Sequence, residues 1–148
     1  MVTNNLKKIY ATRMSSRSSP SVELTNIDGT TYSYSVGYVI PAAYSLSGRD
    51  NNCYIAVGSG NTAPTINDVS LENEITTLSN NGIVLNNNEN GITYTAILTN
   101  NTNADITIKE YGLYVYSGGY KMLTRTVLDN PITLASGEIV SITINIAF

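Results

Sequence analysis

Few residues in this sequence could carry chemistry. The chain contains no histidine and a single cysteine, Cys53. Catalytic triads built around imidazole, histidine acid–base catalysis and zinc sites with histidine or several thiolates are therefore excluded. A glycosidase needs only two carboxylates that face one cleft, and Glu72 and Glu74 offer such a pair. Carboxylates in polar segments are usually solvated surface groups, so we predict that the protein is not an enzyme, with a small carboxylate enzyme kept as an alternative.

Ion and nucleotide sites have equally weak signals. Residues 50–52 and 86–90 are rich in the oxygen ligands that calcium prefers, but neither stretch has EF-hand spacing. Gly58 and Gly60 lack the longer pattern of a phosphate-binding loop and are interpreted as a turn. Cys53 lies in an apolar run, which favours an inert buried thiol. The sequence therefore predicts no metal site and no cofactor.

The eleven tyrosines are the most conspicuous side chains. Tyr38, Tyr44 and Tyr54 could stack on sugar rings, which leaves a surface glycan as an alternative partner. Tyrosine at strand positions more often belongs to a core or a subunit interface. Tyr114 and Tyr116 precede a Ser-Gly-Gly turn, and we predict that they make assembly contacts.

Positive charge is concentrated near the N-terminus. The net charge is -3, yet the first 17 residues contain four of the eight basic residues and no acidic residue. A serine-rich stretch follows, so we predict that residues 1–21 form an extended or flexible basic arm and that residues 22–148 form the folded domain. We expect the arm to dock on an acidic neighbouring subunit rather than on nucleic acid, which needs more phosphate-neutralising charge. The predicted contact residues of the arm are Lys7, Lys8, Arg13 and Arg17.

Most of the remaining chain has the pattern of β-strands. Apolar and aromatic side chains alternate with polar ones, and Asn-Gly and Gly-Gly pairs mark turns. Strands are predicted at residues 32–40 and 53–57, hairpins at 83–98 and 106–128, and a closing strand at 139–148. Residues 68–78 could instead form a short helix, because Val69, Glu72 and Ile75 share a helical face and Asp68 could cap it.

Short strands at this spacing predict an all-β fold. We expect an antiparallel two-sheet β-sandwich of immunoglobulin-like or jelly-roll type, preceded by the arm. No stretch approaches the roughly 18 apolar residues of a membrane span, and the N-terminus lacks the apolar core of a signal peptide. Synthesis and folding in the cytosol are expected, without a membrane partner.

Three segments resemble small structural proteins of tailed bacteriophages. The first is residues 55–75, the second is residues 106–114, and the third is residues 122–127, followed by an alternating strand that ends in Phe148. Together with this strand they cover roughly residues 53–148. The matching positions in the first segment are Gly58, Gly60, Pro64, Asp68, Leu71 and Ile75.

The resemblance implies a virion component that folds in the host cytoplasm. A compact domain with a basic arm favours an auxiliary or decoration protein of the head, for which the major capsid protein would be the partner. A tail- or fibre-associated subunit is the alternative within the same group. Many identical copies are expected to form a symmetric homo-oligomer. A carbohydrate-binding adhesion module remains open as a different function.

Overall fold

The computed structural model describes residues 1–15, 21–35, 53–78, 84–88, 91–116 and 118–147, of which residues 13–15 and 84–88 are described by their backbone alone. These ranges contain one helix and nine strands. They are α1 (Asn4–Ser15), β1 (Ser21–Thr25), β2 (Thr31–Ser35), β3 (Cys53–Gly58), β4 (Glu74–Leu78), β5 (Val84–Asn88), β6 (Gly91–Thr99), β7 (Ile106–Tyr116), β8 (Tyr120–Leu134) and β9 (Ile139–Ala147).

The described strands form three antiparallel sheets. A two-stranded sheet contains β1 and β2, a four-stranded sheet has the order β4-β3-β7-β8, and a three-stranded sheet has the order β5-β6-β9. All strand pairs within them are antiparallel. The predicted β-rich, antiparallel fold class is therefore confirmed.

Local sequence patterns placed several of these strands correctly. The strand at residues 53–57, both predicted hairpins and the closing strand are confirmed. In the β5–β6 hairpin Asn88 pairs with Gly91, so two residues connect the strands. The strand predicted at residues 32–40 is β2 up to Ser35, and its continuation lies outside the described residues.

The four-stranded sheet has apolar side chains on both faces. Its inner face joins α1, β1 and the three-stranded sheet in one hydrophobic cluster, to which Ile55, Tyr94 and Leu113 contribute. Its outer face carries a smaller cluster made of Ala56, Leu71, Tyr114 and Met122. Because side chains alternate along a strand, the same strands β3 and β7 supply both clusters.

The prediction of an extended or flexible arm is wrong for residues 1–15. Residues 4–15 form α1, and Leu6 and Ile9 are 2% and 1% exposed in the main cluster. Asn5 fixes the helix to β1, because its amide donates to the Thr25 carbonyl oxygen at 2.8 Å and accepts from the Thr25 N–H at 2.9 Å. Leu6, Ile9 and Tyr10 have helical spacing, a signal that the basic charge obscured. No helix of the described ranges is long and apolar enough to cross a membrane.

The helix predicted at residues 68–78 is also absent. Residues 59–73 form a loop over the outer face of the four-stranded sheet, and Glu74–Leu78 is strand β4. The loop N–H groups of Leu71, Glu72 and Asn73 donate to side chains of β7. Since these donors are satisfied by the sheet, the segment needs no intrahelical hydrogen bonds.

The packing of α1 predicts unequal effects of substitutions at two consecutive residues. Ile9→Ala should lower the free energy of unfolding by about 2–5 kcal/mol, because it removes a fully buried side chain. Lys8→Ala, at an exposed helix position, should change it by less than about 0.5 kcal/mol. Urea denaturation of both variants and the parent measures this difference. Equal stabilities for the three proteins would show that the helix does not contribute to the core.

Candidate functional site

Four charged side chains, two of them buried, form an ionic cluster where the loop crosses β7 and β8. Glu110 lies on β7, Arg125 on β8, and Asp68 and Glu72 on the loop. Arg125 Nε donates to Glu110 Oε2 at 2.8 Å and Arg125 Nη1 to Asp68 Oδ2 at 2.8 Å, while Nη2 lies 3.6 Å from Glu72 Oε2. The side chain of Glu110 is 0% exposed and that of Arg125 is 5% exposed. One guanidinium therefore joins two strands to the loop.

Glu110 also binds the backbone of the loop. Its Oε1 accepts hydrogen bonds from the N–H groups of Gly60 at 3.1 Å and Asn73 at 2.9 Å. Its Oε2 accepts from the N–H of Glu72 at 3.2 Å. A buried carboxylate needs such donors to offset its lost hydration, and here they come from both ends of the loop. The position of Glu110 thereby fixes the path of residues 59–73.

Glu72 closes a turn within the loop. Its Oε2 accepts from the N–H groups of Asn61 and Thr62, both at 2.9 Å, and its Oε1 accepts from the Thr62 hydroxyl at 2.8 Å. The hydrogen bonds from Thr62 lower the pKa of Glu72. The carboxylate that was considered as half of a catalytic pair is thus engaged in holding the loop.

Asp68 makes a second turn. It accepts hydrogen bonds from the N–H of Thr65 at 2.9 Å and from its hydroxyl at 2.7 Å. Partial burial opposes ionisation of Asp68, but the hydrogen bonds from Arg125 and Thr65 outweigh it and lower the pKa. The carboxylate therefore remains ionised beside Arg125 at neutral pH.

Two glycines allow the carboxylates to approach the backbone. A Cβ atom at Gly58 would lie 2.6 Å from Glu110 Oε1, and a Cβ at Gly60 would lie 2.5 Å from the same oxygen. The Gly60 Cβ would also lie 2.5 Å from the Cβ of Glu72. These distances are below van der Waals contact, so both positions require glycine for close approach. Gly58 and Gly60 were predicted to form a turn. In the structure Gly58 is the last residue of β3, and Gly60 lies near the start of the loop formed by residues 59–73.

Tyr114 lies under the loop and not at an exposed contact surface. It is 4% exposed, and its hydroxyl oxygen accepts a hydrogen bond from the Leu71 N–H at 2.8 Å. Burial raises the pKa of Tyr114. The prediction that Tyr114 makes an assembly contact is wrong for the described chain, because Leu71 and Met122 enclose its ring in the outer cluster.

Beyond the loop, a tyrosine patch consists of the exposed Tyr116 and the half-buried Tyr54 and Tyr120. The centroid of the Tyr120 ring lies 5.0 Å from the centroids of both other rings in edge-to-face geometry. Tyr116 is 42% exposed, which is compatible with its predicted contact role. A pocket of about 110 Å³ beside the patch is lined by Ile27, Glu74, Thr77, Tyr114 and Tyr120. The patch combines flat apolar rings with phenolic hydroxyls, the chemistry of protein contacts and of sugar binding.

The basic residues that the structure describes lie on a different element from the tyrosine patch. Lys7 and Lys8 are exposed on α1, which packs on β1 and β8. Arg13 lies in the last turn of α1, where the backbone alone is described, and Arg17 lies outside the described residues. The structure therefore places two predicted contact residues on a helix surface and does not bring them together with Tyr116.

The remaining candidate positions are only partly described. Tyr38, Tyr44 and residues 50–52 lie outside the described residues, and residues 86–88 belong to β5. Within the described ranges no group of three or more Asp, Glu, Cys or His side chains is placed to hold a metal ion. Cys53 is buried, as predicted, and burial raises the pKa of its thiol to about 12.

Sequence reasoning missed Glu110 and Arg125 as the centre of the site. One signal was available. Glu110, Gly112 and Tyr114 follow one another at every second position, so they share one face of the strand. A carboxylate within an apolar strand needs a cationic partner if that face is buried. Its partner, Arg125, could not be identified without the β7–β8 register.

The sequence matches no protein-family model, and no curated protein or solved structure matches it significantly.

A separate buried cation lies near the two-stranded sheet. The Nζ of Lys121 is 3.8 Å from the centroid of the Tyr34 ring and donates to the Gly119 carbonyl oxygen at 2.8 Å. Lys121 is 0% exposed, and burial lowers its pKa from 10.5 to about 8. The cation–π contact and the hydrogen bond to Gly119 thus offset only part of its lost hydration.

The ionic cluster predicts a strong coupling between Glu110 and Arg125. Glu110→Gln keeps the shape of the side chain but leaves Arg125 with one buried anion fewer, so we expect a loss of about 3–5 kcal/mol in the free energy of unfolding. Glu23→Gln, at an exposed position of β1, is the matched control and should change it by less than about 0.5 kcal/mol. Urea denaturation of the single variants and of Glu110→Gln combined with Arg125→Met gives the coupling energy. Additive single effects would contradict the cluster.

Lys121 predicts a specific pH dependence. Its pKa is lower in the folded state, so the unfolded state binds more protons between about pH 8 and pH 10.5, and the contribution of Lys121 to stability rises over that window. Lys121→Met should remove this rise, which amounts to at most about 1.4 kcal/mol per pH unit. Urea denaturation of both proteins from about pH 7 to pH 9.5 measures the difference between their free energies of unfolding. Titration of Cys53 contributes equally to both proteins and cancels in this difference. Identical pH profiles would contradict the assignment.

Proposed function

We propose that this chain is a non-enzymatic structural protein of a tailed bacteriophage virion. In this proposal the three- and four-stranded sheets form a sandwich of immunoglobulin-like or jelly-roll type. The protein is synthesised and folds in the host cytoplasm and joins the particle in many copies. Its leading assignment is an auxiliary or decoration protein bound to the major capsid protein, and its alternative within the virion is a tail- or fibre-associated subunit.

The proposal rests on the contact between the three segments that resemble phage structural proteins. Residues 55–75 contribute Asp68 and Glu72, residues 106–114 contribute Glu110, and residues 122–127 contribute Arg125 to the ionic cluster. The three segments that resemble phage structural proteins are distant in sequence, yet together they supply all four members of one ionic cluster. Gly58 and Gly60, two positions of the resemblance, lie where the carboxylates leave no room for a side chain.

The exposed surfaces suit attachment. The tyrosine patch offers rigid aromatic rings, which contribute strongly to protein interfaces at low entropic cost. Lys7 and Lys8 extend from α1, which itself packs on the domain. Contact with an acidic neighbouring subunit would then use a helix surface instead of the free arm expected from sequence.

A carbohydrate-binding role is the second candidate, and the pocket beside the tyrosine patch favours it. Glu74 and Thr77, which share a hydrogen bond, place polar groups beside the ring of Tyr120. Aromatic rings with a few fixed polar groups are the usual composition of a small-ligand site. Glycan binding by the purified protein, abolished by Tyr120→Ala, would favour this role.

The virion proposal predicts that antibody-gold labelling finds the protein at regular positions on purified phage particles. Purified protein should also bind particles that lack it, and Tyr116→Ser should weaken that binding at least about tenfold while leaving the melting temperature unchanged. Tyr32→Ser, at a tyrosine that is 54% exposed on β2, is the control and should bind like the parent. Absence of label from intact particles, together with micromolar affinity for a defined glycan, would replace this proposal with the adhesion role.

A further inference from the structure

Strand β9 has one unpaired edge. Along its nine residues it pairs with β6, from Gly91 opposite Ala147 to Thr99 opposite Ile139. Within the described ranges no strand pairs with its other side, since β9 ends the three-stranded sheet. A row of backbone N–H and C=O groups along this edge is therefore available to another extended strand.

The sequence of β9 has none of the usual protection of an edge strand. Ile139–Ala147 reads IVSITINIA and contains no charged residue, no proline and no glycine. Native edges commonly carry lysine, proline or another charge, or are short, which prevents pairing with other chains. An alternating, uncharged β-branched strand of this length is a strong template for pairing.

The other described edges are protected, which makes β9 the exception among them. Residues 1–3 lie along the middle of β8: the Thr3 N–H donates to the Leu123 carbonyl oxygen at 3.0 Å and the Arg125 N–H to the Met1 carbonyl oxygen at 2.9 Å. Further along β8, Pro131 removes a donor. Each of the remaining edge strands, β1, β2, β4 and β5, has only five residues and therefore a short edge.

An apolar cleft opens along the same edge. Its volume is about 230 Å³. Strand β9 lines it with residues that point inward, Val140 and Ile142, and with residues that point outward, Ser141 and Thr143. The cleft therefore follows the strand edge itself. Its other walls are formed by Ile108, Tyr111, Leu128 and Ile132.

Two isoleucines beside this edge remain exposed. Ile139, at the start of β9, and Ile97, on the adjoining strand β6, are each 64% exposed. They belong to the outer face of the three-stranded sheet, where Ile97 is directly opposite Ser141. Apolar side chains of this size, next to an unpaired backbone edge, favour an occupant that is itself an extended, uncharged strand.

A second copy of β9 meets these requirements. In an antiparallel pair around a twofold axis each strand faces its own sequence, so any charge near the axis would face an identical charge. The absence of charge from β9 removes that penalty. We propose that β9 pairs antiparallel with β9 of a second copy near Thr143, which joins the two three-stranded sheets into one continuous sheet.

This inference goes beyond the virion role, because it depends only on the edge of β9. It is tested with the purified full-length chain, so its outcome is separate from that of particle labelling. A dimer without virion attachment and attachment without a dimer are distinct results.

The test compares lysine at two positions that face each other across β6 and β9. Thr143→Lys places like charges near the proposed twofold axis, whereas Thr95→Lys places the same charge on the same sheet face one strand further in, about 4.8 Å away. Thr95 and Thr143 share one hydroxyl contact of 3.3 Å, so both variants lose the same interaction within the chain. Sedimentation equilibrium should show a dimer for the parent, and Thr143→Lys should raise its dissociation constant at least tenfold more than Thr95→Lys.

Cysteine crosslinking gives a second measurement that does not depend on the lysine variants folding. The single variants Ser141→Cys, Thr143→Cys and Asn145→Cys are oxidised separately. At least one of them should form a disulfide-linked dimer, while buried Cys53 stays unreactive. A monomeric parent, equal effects of the two lysine variants, or no crosslink at any position would each overturn the proposal. A monomer that binds an extended peptide at β9 would instead assign the edge to a different protein.

Discussion

The ion pair between Glu110 and Arg125 is the constraint on which the outer half of this structure depends. Both groups are almost completely removed from water, and two buried charges are stable only when their remaining hydrogen-bonding capacity is met. The β7–β8 pairing brings them together, but it leaves acceptor sites of Glu110 and donor sites of Arg125 unsatisfied. Residues 59–73 supply most of the missing partners, Asp68 on one side and three backbone N–H groups on the other, while Arg125 Nη2 has no hydrogen bond and lies 3.6 Å from Glu72 Oε2. The loop has little freedom to adopt a different path, and glycine is required at Gly58 and Gly60, where a Cβ would meet Glu110.

This constraint also determines which surfaces are available for function. The loop buries Tyr114 and part of the outer face of the four-stranded sheet, and the tyrosine patch lies beyond its end. A partly covered sheet that carries three tyrosine rings in edge-to-face contact would suit the proposed structural subunit, because little entropy is lost when such rings are buried. Of the two carboxylates considered for catalysis, Glu72 is hydrogen-bonded to the loop backbone, whereas Glu74 lies beside the pocket. This arrangement supports the proposal that the protein binds its partners through the patch.

The edges of the sheets differ in how far the described chain covers them. Residues 1–3 cover β8 while the following helix inserts Leu6 and Ile9 into the core, so the N-terminal segment both completes the core and protects an edge. At β9 the described chain offers no such cover, and its sequence contains no charge to deter pairing. A chain that protects its other described edges and leaves one long edge open is consistent with assembly through that edge. The basic residues of α1 would then be free for contacts with a different, acidic partner.

The sequence by itself determined the features that depend on near neighbours. An apolar run predicted β3, alternating side chains predicted β9, and turn residues predicted both hairpins, because hydrophobic pattern and backbone conformation are local properties. The absence of histidine limited the possible chemistry in the same direct way. Only the tertiary structure decided the roles of Leu6, Tyr114, Glu110 and Arg125. Leu6 is helical because a core exists to receive it, and Tyr114 is buried because a loop from 43 residues earlier donates a hydrogen bond to it. Arg125 meets Asp68 across 57 residues of sequence, and no local pattern specifies which of the eleven acidic residues the folded chain will place beside it.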